Sequence, residues 1–353
     1  MNKNNYNEYL EDFTQTGFML HEPVMLYKIG DKQPCGNIRY KPISGVSVMN
    51  SGLNIKYTEG KDYKIEDNTI IMLPNSKMMY ITDELYHVTK KEENLSFQKA
   101  CDGVNLVLFT NSPYIIEHQI AVSYEFDKSE CKIEYEKFDD TKLKNTLCIL
   151  KNKKPLKYVL YGDSITCGFN SSFFMNVEPF LPTWGELIKW KLEDRYNTSV
   201  NMINSAVNGM DSGWGAANAK KLIAENNPDL TVLAFGMNDG TLMVKPEKFK
   251  ENIKSIIDTV GQGDFILVAP MLANPDSAFV GYQEAYYDVL KELVAPNIKV
   301  IGMANIHKEL LINKKYCDYT GNNINHPNDF LARCYAINIL KLLIDTDTSI
   351  KPC

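Results

Sequence analysis

Short runs of alternating hydrophobic and polar residues, separated by turn residues, make up most of the first 150 positions of the chain. This alternation has the period of a strand with one buried face. Strands are predicted at Asn37–Tyr40, Val46–Met49, Thr69–Leu73, Leu106–Thr110, Tyr114–Tyr124 and Lys132–Tyr135. Many short strands with frequent turns predict that residues 1–150 form an all-β sandwich, jelly-roll-like, which serves as a scaffold or takes part in substrate binding.

The pattern changes near Leu150, where buried strands begin to alternate with helical segments. The Lys-rich stretch Asp139–Lys157 has little periodicity and predicts a linker. Strands are predicted at Tyr158–Tyr161, Val200–Asn204, Leu230–Phe235, Phe265–Ala269 and Ile298–Met303, and helices at Thr183–Tyr196, Gly213–Asn226, Pro246–Val260, Phe279–Val294 and Asn328–Ile344. This alternation predicts an α/β domain at residues 151–353 with a parallel five-stranded sheet, whose ligands bind beyond the carboxyl ends of the strands.

Composition and charge narrow the possible functions. The chain has 353 residues, 44% of them hydrophobic, and a formal net charge of -6 with both signs interspersed. No broad positive field is available for nucleic acid, and no apolar run is long enough for a membrane helix. The eight cysteines form no CxxC pair, and the first residues lack the apolar core of a secretory signal. We therefore expect a cytoplasmic protein that needs no metal and no cofactor.

Four polar blocks follow the predicted strands or open the last predicted helix. Gly162-Asp163-Ser164 follows the first strand of the second half, and a serine there can be presented on a tight turn. The other blocks are Asn204-Ser205-Ala206-Val207-Asn208-Gly209, Phe235-Gly236-Met237-Asn238-Asp239 and Asn323-Ile324-Asn325-His326-Pro327. The strand ends place all four blocks on the same edge of one sheet.

This ordered set resembles the four signature blocks of the SGNH (GDSL-like) hydrolases over roughly residues 155–345. The resemblance implies a flavodoxin-like domain in which Ser164 attacks an ester carbonyl and His326 takes its proton. It also implies an oxyanion hole built from the Ser164 N–H, the Gly209 N–H and the Asn238 side-chain amide. His326 is also favoured because the only other histidine of the second half, His307, has no motif around it and fits a helix entry or the surface.

The last block departs from the family's usual Asp-x-x-His, because Asn323 stands where the aspartate is expected. An amide oxygen can accept the Nδ1–H of the ring but cannot stabilise imidazolium with a charge. Asp329 fits the acidic first turn of a helix better than a catalytic role. We therefore predict a Ser–His dyad, with the ring of His326 oriented by Asn323 or by a main-chain carbonyl.

Other side chains near these blocks are further candidates. Trp184 and Trp214 could stack on a sugar or belong to the core, and Asp163 could contact substrate or fix the nucleophile turn. Cys167 fits buried packing, since a catalytic thiolate would need its own histidine.

A β-sandwich followed by an SGNH domain resembles two-domain bacterial carbohydrate esterases of the acetylxylan esterase type. The resemblance implies a serine esterase, a carbohydrate acetylesterase that removes O-acetyl groups from sugars or oligosaccharides through an acetyl-serine intermediate. An acylhydrolase acting on lipids or thioesters is the alternative enzyme. A carbohydrate-binding protein that has lost catalysis is the alternative from another class, and the intact Ser164 and His326 argue against it.

Overall fold

The first half of the chain is rich in short strands. The computed structural model describes residues 6–88 and 95–345. The strands are β1 (Phe18–Met25), β2 (Tyr27–Lys28), β3 (Cys35–Asn37), β4 (Pro42–Asn50), β5 (Lys56–Tyr57), β6 (Tyr63–Glu66), β7 (Thr69–Met72), β8 (Ile81–Thr82), β9 (Ser96–Lys99), β10 (Leu106–Phe109) and β11 (Gln119–Phe126). Short helices are α1 (Phe13–Thr16), α2 (Asp83–Tyr86), α3 (Tyr114–His118) and α4 (Lys144–Lys151). They give an antiparallel sheet β1-β11-β4-β5, a mixed sheet β6-β7-β3-β2-β8 and the hairpin β9-β10.

Three of the strands predicted for this half are wrong, at least in part. Of Asn37–Tyr40, only Asn37 lies in a strand, at the end of β3. Pro113 begins a helix at Tyr114, so the predicted strand Tyr114–Tyr124 forms only from Gln119 onward. Lys132–Tyr135 forms no strand in the described chain, although Ile133 and Tyr135 are buried.

The predicted linker Asp139–Lys157 contains the helix α4. Leu147 and Leu150 are buried there, and the Thr146 N–H donates to the Asp264 carboxylate at 2.7 Å. This Lys-rich segment packs against the second half because the contact removes its two leucines from water.

The second half alternates strands with helices as predicted. Its strands are β12 (Leu156–Gly162), β13 (Val200–Asn204), β14 (Leu230–Ala234), β15 (Asp264–Ala269) and β16 (Ile298–Gly302). Its helices are α5 (Ser164–Cys167), α6 (Trp184–Tyr196), α7 (Ser212–Leu222), α8 (Met237–Thr241), α9 (Pro246–Val260), α10 (Tyr286–Lys291), α11 (Ala304–Leu310) and α12 (Asp329–Leu343). The predicted helix Phe279–Val294 is shorter, because Gly281 packs against the Gly240 carbonyl and holds the chain there in a loop.

The five strands of the second half form one parallel sheet in the order β13-β12-β14-β15-β16. This is the flavodoxin-like order of a doubly wound sheet, and the predicted fold class is confirmed. Alternate residues of β12 enter different cores: Val159 packs on one face of the sheet and Leu160 on the other. The core that contains Leu160 also contains Val24 and Tyr124 of the first half, so both halves share it. The domain boundaries and the jelly-roll form of the first half stay predictions.

Within the described residues, no helix is long and apolar enough to cross a membrane. The same residues contain no group of histidine, cysteine, aspartate and glutamate side chains that could hold a metal ion.

Candidate active site

The four polar blocks meet at the carboxyl edge of the parallel sheet. Ser164 begins α5 directly after β12, Gly209 lies in the loop after β13, and Asn238 lies in α8 after β14. His326 lies in the loop that leads into α12. A crevice at this edge is where doubly wound sheets bind their ligands.

A tight turn after β12 presents Ser164. The Asp163 carboxylate accepts the backbone N–H of Ile165 at 3.0 Å and caps α5. A side chain at Gly162 would collide with the Ala234 carbonyl of the neighbouring β14, so the backbones approach closely there. The turn therefore holds Ser164 in one position against the sheet.

Asp163 lies beneath this turn and is only 1% exposed, so the prediction that it could contact substrate is wrong. Burial raises the pKa of Asp163 to about 7, and the nearby Asp239 carboxylate adds to the rise. Hydrogen bonds from backbone N–H groups, including that of Ile165, act in the opposite direction. Asp163 thus shapes the turn that carries Ser164.

His326 meets Ser164 directly. Its Nε2 lies 2.8 Å from the Ser164 hydroxyl oxygen, and both residues are largely buried. The Phe169 ring and the imidazole pack edge to face, with the ring centres 5.3 Å apart. Burial lowers the pKa of His326 to about 3, so the ring is neutral at pH 7. A neutral imidazole that contacts a serine hydroxyl through Nε2 can accept the hydroxyl proton.

Two amide side chains flank the other ring nitrogen, and neither is Asn323. The Asn170 Oδ1 lies 2.6 Å from Nδ1 of His326, and the Asn322 Nδ2 lies 3.0 Å from it. Sequence reasoning missed both. Asn170 lies six residues after Ser164 in a loop whose path no periodicity predicts, while Asn322 directly precedes the residue that the family pattern selects.

The prediction that Asn323 orients the imidazole is contradicted by its contacts. Asn323 is in the left-handed region at φ 64°, and its Nδ2 donates to the Leu108 carbonyl of β10 at 3.0 Å. Its own carbonyl accepts from the Asn274 amide at 2.6 Å. Asn323 therefore anchors the backbone before His326 to the first half of the chain. Asp329 also lies off the ring, because its carboxylate accepts the Ser172 N–H at 2.8 Å.

A hydrogen bond joins the segments that carry two of the three predicted oxyanion groups, Asn238 and Gly209. The Asn238 Nδ2 donates to the Met210 carbonyl at 3.0 Å, which joins α8 to the loop that contains Gly209. This amide has two hydrogens, so the second can be offered to a ligand. Gly209 is exposed in the left-handed region at φ 77°, and a Cβ there would meet no atom within 4 Å. The Ser164 N–H is at the first position of α5, where a helix leaves donors unpaired.

The buried carboxylate of Asp239 adds further hydrogen bonds between α8 and the segment that follows Gly209. Asp239 accepts the backbone N–H of Ser212 at 3.0 Å and also the Ser212 hydroxyl. The Asn252 amide donates to the same hydroxyl at 2.9 Å. Burial raises the pKa of Asp239 to about 6. The position of the Gly209 loop is thus set by residues next to Asn238.

Neither predicted sugar-stacking tryptophan forms an open platform. Trp184 is fully buried, donates from Nε1 to the Ile165 carbonyl at 2.9 Å and stacks on Tyr335. It supports α5 from below, and the binding role predicted for it is wrong. Trp214 is partly buried and packs against Tyr161 with the ring centres 6.1 Å apart.

The remaining candidates, Cys167 and His307, lie where neither is suited to a catalytic role. Cys167 is half-buried, and burial raises the pKa of its thiol to about 11, which disfavours a thiolate. His307 is fully buried in α11, and the prediction of a surface position is wrong.

The first half of the chain holds the loop that carries His326. We call residues 314–328 the histidine loop. The Gln119 amide of β11 donates to the carbonyls of Cys317 and Thr320 at 2.6 and 2.9 Å, and its oxygen accepts from Asn328. Ile324 packs against Ala100 and Val107 of the β9-β10 hairpin region.

A buried ion pair holds the start of the same loop. The Lys314 ammonium lies 2.9 Å from the Glu22 carboxylate of β1, and both side chains are fully buried. The Lys314 ammonium also donates to the carbonyls of Pro23 and Asn37 at 2.9 and 2.6 Å. Glu22 accepts further hydrogen bonds from Tyr124 and Tyr319. Both ends of the histidine loop are therefore fixed by the first half.

Comparison with known proteins finds a family match in the second half. Residues 160–330 match the model of the GDSL-like Lipase/Acylhydrolase family. An arylesterase of Vibrio mimicus is 24% identical over 137 residues, which cover 39% of this chain and 64% of the relative. Thioesterase 1/protease 1/lysophospholipase L1 of Escherichia coli K12 is 21% identical over 135 residues, covering 38% of this chain and 60% of the relative. The matched regions thus span less than two thirds of these relatives.

Comparison with solved structures matches part of the chain to an acetylxylan esterase from Geobacillus stearothermophilus. It is 18% identical, with a TM-score of 0.44, and the match covers 53% of this chain and 93% of that one. A two-domain esterase active on acetylated mannans is also 18% identical, with a TM-score of 0.48, and the match covers 61% of this chain and 59% of that one.

Proposed function

Because residues 160–330 match the model of the GDSL-like lipase/acylhydrolase family, we propose that the chain is a serine esterase that removes O-acetyl groups from sugars or oligosaccharides. The observation that carries the hydrolase part is the 2.8 Å contact between the Ser164 hydroxyl and His326 Nε2. The acetylated-sugar part rests on the resemblance of a β-rich domain followed by an SGNH domain to two-domain carbohydrate esterases.

In the proposed reaction, the Ser164 oxygen attacks the acetyl carbonyl while His326 Nε2 takes the hydroxyl proton. The negative oxygen of the tetrahedral intermediate accepts hydrogen bonds from the Ser164 N–H, the Gly209 N–H and the Asn238 amide. The C–O bond to the sugar then breaks, and the imidazolium gives its proton to the leaving alcohol. A water molecule releases acetate from the acetyl-serine by the same two steps, which restores the free hydroxyl.

Nitrophenyl esters of increasing chain length, measured beside acetylated xylo- and manno-oligosaccharides, test this proposal. We expect kcat/KM to be highest for acetyl, and acetate to be released from at least one of the oligosaccharides. Ser164→Ala should abolish both activities, and Cys167→Ala serves as a matched control that removes a neighbouring nucleophile. Full activity in Ser164→Ala would contradict the assignment of the nucleophile. Peak activity beyond butyryl esters would contradict the acetyl specificity alone.

Two pairs of exposed apolar side chains in segments after the nucleophile and after Asn238 favour a second candidate, hydrolysis of lipid esters or thioesters. Phe173 and Phe174, in the loop after the nucleophile, are 58% and 44% exposed. Leu242 and Met243, in the segment after Asn238, are 62% and 55% exposed. Such side chains at the carboxyl edge of the sheet would suit a longer acyl chain. This candidate predicts that kcat/KM rises from acetyl to octanoyl esters, so the same series separates the two.

A further inference from the structure

Two amide side chains, one an acceptor and the other a donor, compete to decide which nitrogen of the His326 ring carries its hydrogen. Nε2 must be free of hydrogen if it is to accept the Ser164 proton, so the neutral ring must carry its hydrogen on Nδ1. An acceptor beside Nδ1 stabilises that tautomer, and a donor beside Nδ1 stabilises the other. The Asn170 oxygen and the Asn322 nitrogen both lie beside Nδ1, at 2.6 and 3.0 Å.

The orientation of Asn322 is fixed by the backbone of the histidine loop. Its Oδ1 accepts the N–H groups of Ile324, Asn325 and His326 at 3.0, 3.0 and 3.1 Å. Rotating the amide by half a turn would place its NH₂ group against three donors. The Nδ2 of Asn322 must therefore face the ring, where it favours a hydrogen on the wrong nitrogen. It has a second acceptor in the Asn325 side-chain oxygen at 3.0 Å.

Asn170 is held against the ring by close packing. It is fully buried and lies in the left-handed region at φ 61°. A side chain at Gly321 would collide with the carbonyl oxygen and Cβ of Asn170, so the histidine loop packs directly on this residue. The Asn170 Nδ2 lies 3.7 Å from the Met175 sulfur, a weak acceptor, and the oxygen is left to face Nδ1.

We propose that Asn170 is a positioning residue that keeps His326 in the Nδ1–H tautomer against the competing donor of Asn322. The inference rests on the proposed esterase function of Ser164 and His326. It replaces the dyad expected from the sequence with a Ser164–His326–Asn170 arrangement whose third member is neutral and comes from the nucleophile loop. Removing Asn170 leaves Asn322 free to donate to Nδ1, and the hydrogen then moves to Nε2, where it blocks acceptance of the serine proton.

Four variants test this competition in the full-length chain. We expect Asn170→Ala to lower kcat about 10²–10⁴-fold with little change in KM, since a wrong tautomer has an effect of this size in a serine hydrolase. Asn170→Asp retains an acceptor, so it should stay within about tenfold of the parent while its carboxylate moves the acidic limb of the pH–rate profile upward. Asn338→Ala, which removes another buried amide that lies away from the ring, should leave kcat within about twofold.

The decisive variant is the double substitution Asn170→Ala with Asn322→Asp. An aspartate at 322 keeps one oxygen for the three backbone N–H groups and turns a second oxygen toward Nδ1. We expect kcat to rise at least tenfold above that of Asn170→Ala alone. A purely structural role for Asn170 predicts no such rescue. A double variant no more active than Asn170→Ala would overturn the proposal.

The tautomer can also be measured without any ester. The ¹⁵N shifts of the His326 ring distinguish hydrogen on Nδ1 from hydrogen on Nε2, with His326→Gln used to assign the signal. We expect Nδ1–H in the parent protein and Nε2–H in Asn170→Ala. Nε2–H in the parent would overturn the proposal even if the variants failed to fold. An inactive parent with Nδ1–H would instead contradict the proposed function alone.

Discussion

At the residue scale, the two buried histidines of the second half differ in what surrounds their rings. His326 contacts Ser164, Asn170 and Phe169, whereas neither ring nitrogen of His307 has a hydrogen-bond partner within the described residues. Burial lowers the pKa of both histidines to about 3. Both rings must therefore stay neutral in the folded protein at pH values where an exposed histidine would be charged.

The low pKa of His326 predicts how far the pH can fall before activity is lost on the acidic side of the pH–rate profile. A base that stays unprotonated far below pH 6.5 remains able to accept the Ser164 proton. We expect kcat/KM for nitrophenyl acetate to keep most of its pH 7 value at pH 5.5. A limb with its midpoint near 6.5 would contradict this expectation, and circular dichroism at each pH shows whether the protein is still folded.

His307→Phe should make the protein less sensitive to acid. The unfolded chain binds a proton at His307 below about pH 6.5 and the folded chain does not, so stability is lost as pH falls from there toward 3. Phenylalanine keeps the ring that packs against Tyr316 and removes two buried polar atoms. We expect the free energy of unfolding, measured with urea at pH 7 and pH 5, to fall less between the two pH values than in the parent. An equal fall would contradict this account.

The sequence predicted the site residues that follow a strand. It did not predict the residue whose position depends on the path of a loop. Ser164, Gly209 and Asn238 follow strands whose apolar runs are visible in the sequence, and the sheet brings them to one edge. Asn170 reaches the imidazole only because the histidine loop packs onto it at Gly321. That contact joins positions 151 residues apart along the chain, and no local pattern encodes it.

At the element scale, the histidine loop depends on strands of the other half. Gln119 of β11 holds it through two donated hydrogen bonds and one accepted hydrogen bond, all of them buried. Removing this amide leaves the Cys317 and Thr320 carbonyls without that donor, which typically costs about 1–3 kcal/mol. The loop would also lose a constraint on the position of His326.

Gln119→Ala should therefore weaken both stability and turnover. We expect a loss of about 1–3 kcal/mol in the free energy of unfolding. We also expect kcat to fall about tenfold with KM little changed, because a poorly placed base slows proton transfer. Gln15→Ala on α1 is the control, an exposed first-half glutamine whose side chain donates to Thr14 and makes no contact with the loop. An unchanged kcat in Gln119→Ala would show that the loop keeps its position without this strand.

Elements with a strong period were predicted well, and elements that depend on distant contacts were not. β13 and α9 have the predicted bounds because their apolar residues follow a strand or helix period. α4 was predicted as linker, since its two buried leucines are flanked by lysines and only packing on the second half gives them an apolar partner.

At the scale of the whole molecule, a buried ion pair joins the two halves. The side chains of Glu22 and Lys314 have no exposed surface, and each makes further hydrogen bonds besides the ion pair. Breaking a buried pair by removing one partner leaves an uncompensated charge, which costs about 3–5 kcal/mol. The two domains predicted from the sequence thus share a core and this fully buried ion pair, and neither feature has a sequence signature.

Lys314→Met should destabilise the protein by about 3–5 kcal/mol, and adding Glu22→Gln should recover part of that loss. All three tryptophans lie in the second half, so their fluorescence reports on it, while far-ultraviolet circular dichroism reports on both halves. We expect the two urea transitions to coincide in the parent and to shift together in Lys314→Met. Separate transitions would mean that the halves unfold independently.

The dependence of the histidine loop on the first half also bears on when a chain under synthesis can first carry out the proposed reaction. Ser164 and His326 are 162 positions apart, and β1 and β11 are made before either. While the ribosome is still adding the histidine loop, the strands that will receive it already exist and the nucleophile has no base. If Ser164 and His326 act as proposed, a chain still lacking the histidine loop cannot hydrolyse esters, and activity begins only when that loop has docked.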